Sequence, residues 1–157
     1  MSRLIFALAF LVASPAFAQQ IAFGGLKQDT KLPVDIGADS LTVNNANGTA
    51  TFSGNVLVGQ GEMRLKAGEI QVIYGTDGKS IQRLLATGGV TLTTGGEAAE
   101  AQTADYSIAS GEVVMSGDVL LTQGQSALSG QKLVIDLKAG TGRMEGRVQT
   151  TFLPGQN

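Results

Sequence analysis

The sequence predicts an all-β chain: a twisted antiparallel repeat sheet folded into an open V-shaped trough of the jelly-roll type. Three observations carry this. First, two anchors alternate strictly along the chain. One is a glycine followed two residues later by valine, at Gly54/Val56, Gly88/Val90, Gly117/Val119 and Gly146/Val148. The other is a small residue followed three later by a larger apolar one, at Ala38/Leu41, Ala67/Ile70, Thr103/Tyr106 and Gly130/Leu133. Eight such matches in strict order are the mark of an internal repeat of about 29 residues. Second, apolar residues around each anchor recur with period two, the period of a strand with one buried face. Third, the breaks between these runs are turn pairs, and no proline occurs between Pro33 and Pro154 to interrupt ladder hydrogen bonds.

The elements follow in chain order. Ser2-Arg3, the apolar run Leu4 to Ala13 and the Ala16-x-Ala18 ending read as a secretory signal over residues 1–18, cleaved before Gln19. Its apolar run is too short for a membrane span, which needs about 20 residues. Residues 19–35 read as a flexible N-terminal segment, 36–152 as one β domain and 153–157 as a tail. Within the domain, Leu41 and Val43 share a parity before Asn47-Gly48. Phe52, Val56 and Val58 follow, up to Gly59-Gln60-Gly61, and then Ile70, Val72 and Tyr74, up to Asp77-Gly78. Val90 and Leu92 precede Gly95-Gly96; Tyr106 and Ile108 precede Ser110-Gly111. Val113, Met115, Val119 and Leu121 run to Gln123-Gly124, and Leu133, Ile135 and Leu137 close the series. The anchor glycine is expected to bend every second strand at one level and so curl the sheet; the competing reading makes it an ordinary turn residue. Such a unit cannot bury its apolar face alone, whereas stacked neighbours can.

Composition excludes several classes of function. The chain has no histidine, cysteine or tryptophan, which removes histidine-based acid–base chemistry, cysteine nucleophiles and the usual zinc sites. After the signal, ten Lys and Arg stand against thirteen Asp and Glu, with no basic face for nucleic acid. Glu97 and Glu100 sit in a polar turn region, Asp77 and Asp105 lack partners at metal-ligand spacing, and no helix follows the Gly59-x-Gly61 loop to hold a phosphate. No catalytic, cofactor-binding or metal-binding residue is expected. The scattered cations Lys66, Lys79, Arg83, Lys132, Lys138, Arg143 and Arg147 could meet phosphates of a lipid head group, but read first as solvated surface. The leader and the lack of cysteine fit a periplasmic protein of a bacterial envelope. A filled core and an apolar groove need the same interior residues, so composition does not separate them. The end strands, Ala38 to Asn44 and Arg143 to Phe152, offer open edges to another chain, unless Lys31 and Pro33 block the first.

Four stretches match a known pattern: Ala38-Asp39-Ser40-Leu41-Thr42-Val43, Ala50-Thr51-Phe52-Ser53-Gly54-Asn55-Val56, Thr87-Gly88-Gly89-Val90 and Met115-Ser116-Gly117-Asp118-Val119. On these the chain, from about Ile36 to Phe152, resembles the OstA-like family of lipopolysaccharide-transport proteins. The resemblance implies a non-enzymatic β-jellyroll, open along one side, that rests the acyl chains of lipopolysaccharide inside. It also implies end-to-end stacking, between an LptC-like inner-membrane protein and an LptD-like outer-membrane protein. A cleavable signal with nothing further selects the soluble bridge of that system. The lipid-facing residues are then expected to be Phe52, Val56, Val58, Ile70, Val72, Val90, Leu92, Tyr106, Ile108, Met115, Val119, Leu121, Leu133 and Ile135. The pattern is blurred at Thr103/Tyr106. The alternative function is a secreted structural β-repeat protein that self-assembles through its open edges.

Overall fold

Alternating apolar residues closed off by glycine turns give thirteen strands and no α-helix among the described residues. The computed structural model describes residues 21–22 and 26–152; the expected signal and the tail 153–157 lie outside them. The strands are β1 (Ile21–Ala22), β2 (Asp35–Gly37), β3 (Ser40–Asn44), β4 (Thr49–Gln60), β5 (Met63–Tyr74), β6 (Ile81–Thr87) and β7 (Val90–Thr94). They continue with β8 (Glu97–Ala101), β9 (Thr103–Ser107), β10 (Glu112–Gln123), β11 (Ser126–Asp136), β12 (Thr141–Glu145) and β13 (Gln149–Thr151). All form one antiparallel sheet.

The sheet has two walls because its long strands change partners halfway. The second half of β4 pairs with β2 and its first half with β3. The first half of β5 pairs with β7 and its second half with β6. On β10 the first half pairs with β9 and the second with β8. On β11, β13 takes the first half and β12 the second. One wall therefore holds β2, β7, β8 and β13; the other holds β3, β6, β9, β12 and β1; β4, β5, β10 and β11 run through both.

The walls meet at the anchor glycines. Gly54 and Asn55 have φ of 81° and 47°, Gly117 and Asp118 have 85° and 46°, and the β4–β5 and β10–β11 ladders slip at these two places. Two successive left-handed residues form a bulge that turns the strand sharply. The same pair recurs between strands at Gly88-Gly89 and Gly146-Arg147. The expected bend is what the glycine provides inside β4 and β10, whereas Gly88 and Gly146 lie in the connections from β6 to β7 and from β12 to β13. Neighbouring corners are tied together: Asn55 Nδ2 donates to Asp39 Oδ2 at 2.9 Å, and Gln102 Nε2 to Asp118 Oδ2 at 3.1 Å.

The third unit is set differently from the Thr103/Tyr106 anchor. Ala86 pairs with both Ile70 and Ala104, and Ala104 pairs with Met115, so Ala104 takes the place of the larger anchor residue. Thr103 is exposed. Counted from Ala101 and Ala104, the irregular length falls instead in the Gly75–Ser80 turn. There the Asp77 carboxylate accepts from the Ser80 hydroxyl at 2.7 Å and from the backbone N–H groups of Lys79 and Ser80 at 2.9 Å; these bonds lower its pKa to about 2.

The array's first end is uncovered. Leu41 and Val43 keep the expected parity but are 53% and 59% exposed, because β3 is an edge strand with no further neighbour to cover that stretch. Within the segment 19–35, Ile21–Ala22 form β1 and Asp35 opens β2. Leu26 is buried in the core, and Gln28, Thr30 and Leu32 hydrogen-bond to the rest of the fold.

Candidate functional site

Inward parity from both walls builds one apolar interior. Of the fourteen expected residues, Val56, Val58, Ile70, Val72, Val90, Leu92, Tyr106, Met115, Val119, Leu121, Leu133 and Ile135 are buried, while Phe52 and Ile108 are partly buried against them. Ladder pairing lines them up in rows across the strands. In one wall, Phe52, Ile70, Ala86, Ala104, Met115, Leu133 and Met144 follow one another as cross-strand partners. In the other, Ile36, Val58, Leu65, Leu92, Ala99, Leu121 and Leu128 do the same. Each row runs perpendicular to the strands, along the length of the fold.

Sequence reasoning missed part of this surface. Leu26, Met63, Leu65, Leu84, Leu128 and Met144 are also buried, as are the small residues Ala86 and Ala99. The alternation Met63-x-Leu65-x-Ala67 was readable, whereas Leu128 stands alone among serines and glycine. Gly130 shows how tight the rows are: a side chain there would meet Met144 Cγ at 2.7 Å and the Glu145 carbonyl oxygen at 2.9 Å.

One polar pair interrupts the apolar interior. Tyr106, from β9, donates its hydroxyl to Gln60 Oε1 at the end of β4, at 2.7 Å, so the bond joins the two walls. Gln60 Nε2 in turn donates to the carbonyls of Thr30 and Leu32, at 3.1 and 2.9 Å. A buried amide needs such partners. Burial disfavours the tyrosinate and pushes the Tyr106 pKa up to about 12, opposed by the Gln60 bond. Because the folded pKa lies above the ordinary 10, the stabilising contribution is complete below pH 10 and is lost as pH rises from 10 to about 12. Urea midpoints are expected to fall through that window by the equivalent of about 2 kcal/mol, and Tyr106→Phe is expected to remove this part of the pH dependence.

The cations stay outside. Arg83 makes a two-pronged pair with Asp105, whose hydrogen bond and then charge raise the guanidinium pKa. Arg143 and Lys132 meet Glu145, at 2.8 and 4.0 Å, and Lys138 Nζ donates to the Ala109 carbonyl at 2.5 Å. Exposed pairs of this kind contribute little to stability. Among the described residues no acidic cluster could hold a metal, and no helix is long and apolar enough to cross a membrane.

The architecture is a two-walled antiparallel β-jellyroll with continuous apolar inner rows, and comparison with known proteins gives its family. Residues 35–141 match the family described as LptA/(LptD N-terminal domain) LPS transport protein, and the chain belongs to that family. It is 29% identical to the lipopolysaccharide export system protein LptA of Escherichia coli (strain K12), over 98% of this chain and 85% of that protein. An uncharacterized protein of Rhizobium meliloti (strain 1021) is 30% identical over 93% of this chain and 86% of its own length. Among solved structures, LptH, the LptA-homologous periplasmic component of the lipopolysaccharide transport device of Pseudomonas aeruginosa, superposes with a TM-score of 0.72. That match has 19% identity and covers 81% of this chain and 99% of that one.

Proposed function

We propose that this chain is a periplasmic carrier that bridges lipopolysaccharide from the inner to the outer membrane, with its acyl chains held between the two walls. The supporting observation is the pair of apolar rows that runs across the strands from one end of the array to the other. Rows of this kind offer an acyl chain the same surface at each strand. Burying acyl methylenes there would contribute roughly 0.8 kcal/mol each, so attraction comes from length more than from any single contact. Val56, Val58, Ile70, Val72, Val90, Leu92, Tyr106, Met115, Val119, Leu121, Leu133 and Ile135 would line the path, with the partly buried Phe52 and Ile108 towards its borders.

The same reading takes residues 1–18 as a cleaved export signal. It has copies join end to end, each uncovered β3 edge, with Leu41 and Val43, offering a strand pairing to the next molecule. LptC-like and LptD-like proteins would take the two ends of such a bridge. A photo-reactive side chain at Val90 or Val119 is expected to crosslink to lipopolysaccharide in cells. Crosslinks to protein alone would reject the conduit and favour a self-assembling structural protein.

A further inference from the structure

The chain changes walls between its first two strands. β1 pairs with β12 at the edge of one wall, and β2 pairs with β4 in the other. Residues 26–34 lie between the β9–β10 and β11–β12 turns of one wall and the β4–β5 turn of the other. Gln28 holds both sides at once. Its backbone N–H donates to the Leu137 carbonyl, beside the β11–β12 turn, at 2.7 Å. Its side-chain amide donates to the Gln60 carbonyl, beside the β4–β5 turn, at 2.5 Å. Gln60 returns two hydrogen bonds, to the Thr30 and Leu32 carbonyls, while its oxygen takes the Tyr106 hydroxyl. Thr30 lies beside Gly111 in the β9–β10 turn. Ahead of these contacts Leu26 turns inward and is 1% exposed, part of the apolar interior.

We infer that residues 26–33 are a strap that holds the open side of the jellyroll shut, with Leu26 seated in the path of an acyl chain, and that lipid enters when the strap lifts. The inference rests on the reading of the interior as an acyl-chain site. Three features fit a part that opens. The strap takes no place in a continuous ladder, so releasing it leaves the sheet intact. Its hold is one buried side chain and a few hydrogen bonds, the low-stability kind of contact from which moving elements are drawn. The carbonyls it exposes on lifting, at Thr30 and Leu32, pass to water, whereas the Gln60–Tyr106 bond can stay made. Lipid and strap then compete for the same apolar surface, so whatever favours the lifted strap favours loading.

The chain has no cysteine, so a lock can be built without interference. Thr30 Cγ2 and Lys138 Cγ approach one point beside Gly111, 3.2 and 2.9 Å from it. Thr30→Cys and Lys138→Cys, joined by a short reducible bismaleimide, fix the strap to the wall. With fluorophore-labelled lipopolysaccharide, the bridged protein is expected to associate at least tenfold more slowly than the same protein after reduction. Leu26→Ala, which loosens the strap outside any ladder, is expected to associate several-fold faster than the unaltered chain. Equal rates for bridged and reduced protein overturn the strap while leaving the acyl site standing. Absence of lipopolysaccharide binding by every form, the unaltered chain included, overturns the acyl site and the strap with it.

Discussion

Gly117→Val is expected to lower the stability of the fold by about 3 kcal/mol, which for a domain of this size moves the melting temperature down by roughly 10 °C. Two causes add. Gly117 has φ of 85°, in the left-handed region that a β-branched residue adopts only under strain. A Cβ there would also stand 2.9 Å from Gln102 Cβ and 2.8 Å from its Cδ, so the neighbouring corner has to move. Asp118→Gly is the matched control. Asp118 already bears φ of 46°, so glycine relieves strain while losing the bond from Gln102, and little net change in melting temperature is expected. An unchanged melting temperature for Gly117→Val would mean that the corner is not what folds the sheet into two walls.

Leu133→Ala is expected to cost about 3 kcal/mol in chemical denaturation. Leu133 is fully buried, and its cross-strand partners are Met115 on one side and Met144 on the other. Removing it opens a gap in the middle of an inner row, between two ladder neighbours fixed by backbone pairing, so collapse around the gap is limited. Leu120 is the contrast. It lies on a long strand too, but with outward parity and 38% exposure, and Leu120→Ala should stay within about 0.5 kcal/mol of the unaltered chain. Similar losses at both positions would contradict the assignment of inner and outer faces.

The faces were legible in the sequence because period two does not depend on which strand lies next door. Val56, Ile70, Val119 and Leu133 could be turned inward from local pattern alone. The same property makes the misplaced third anchor harmless to the faces: Thr103/Tyr106 lies two residues after Ala101/Ala104, and a shift of two keeps every side chain on its face. The slip has a physical source, since Ala101 and Ala104 are both small and Tyr106 offered the larger side chain. Coverage was less legible than parity. Leu41 has the right parity and stays exposed because its cover would have to come from beyond the end of the array. Least legible were Gln60 and Leu26. Gln60 sits between two glycines and reads as a turn residue; only the folded chain brings Tyr106, Thr30 and Leu32 to its amide. Leu26 stands between Gly24-Gly25 and Lys27-Gln28-Asp29 with no alternating pattern around it, and its burial follows from the passage of the chain between two walls.

Residues 35–141 place the chain in the LPS-transport family, and the proposed path through its interior is a matter of side-chain direction. Val119 and Leu120 are adjacent on β10; one is 1% exposed and faces the interior, the other faces out. A photo-reactive residue placed at each in turn, in cells making lipopolysaccharide, reads the path at the resolution of one residue. The account predicts a lipopolysaccharide adduct from position 119 and none, or far less, from position 120. Equal adducts from both positions, or an adduct from 120 alone, would contradict it.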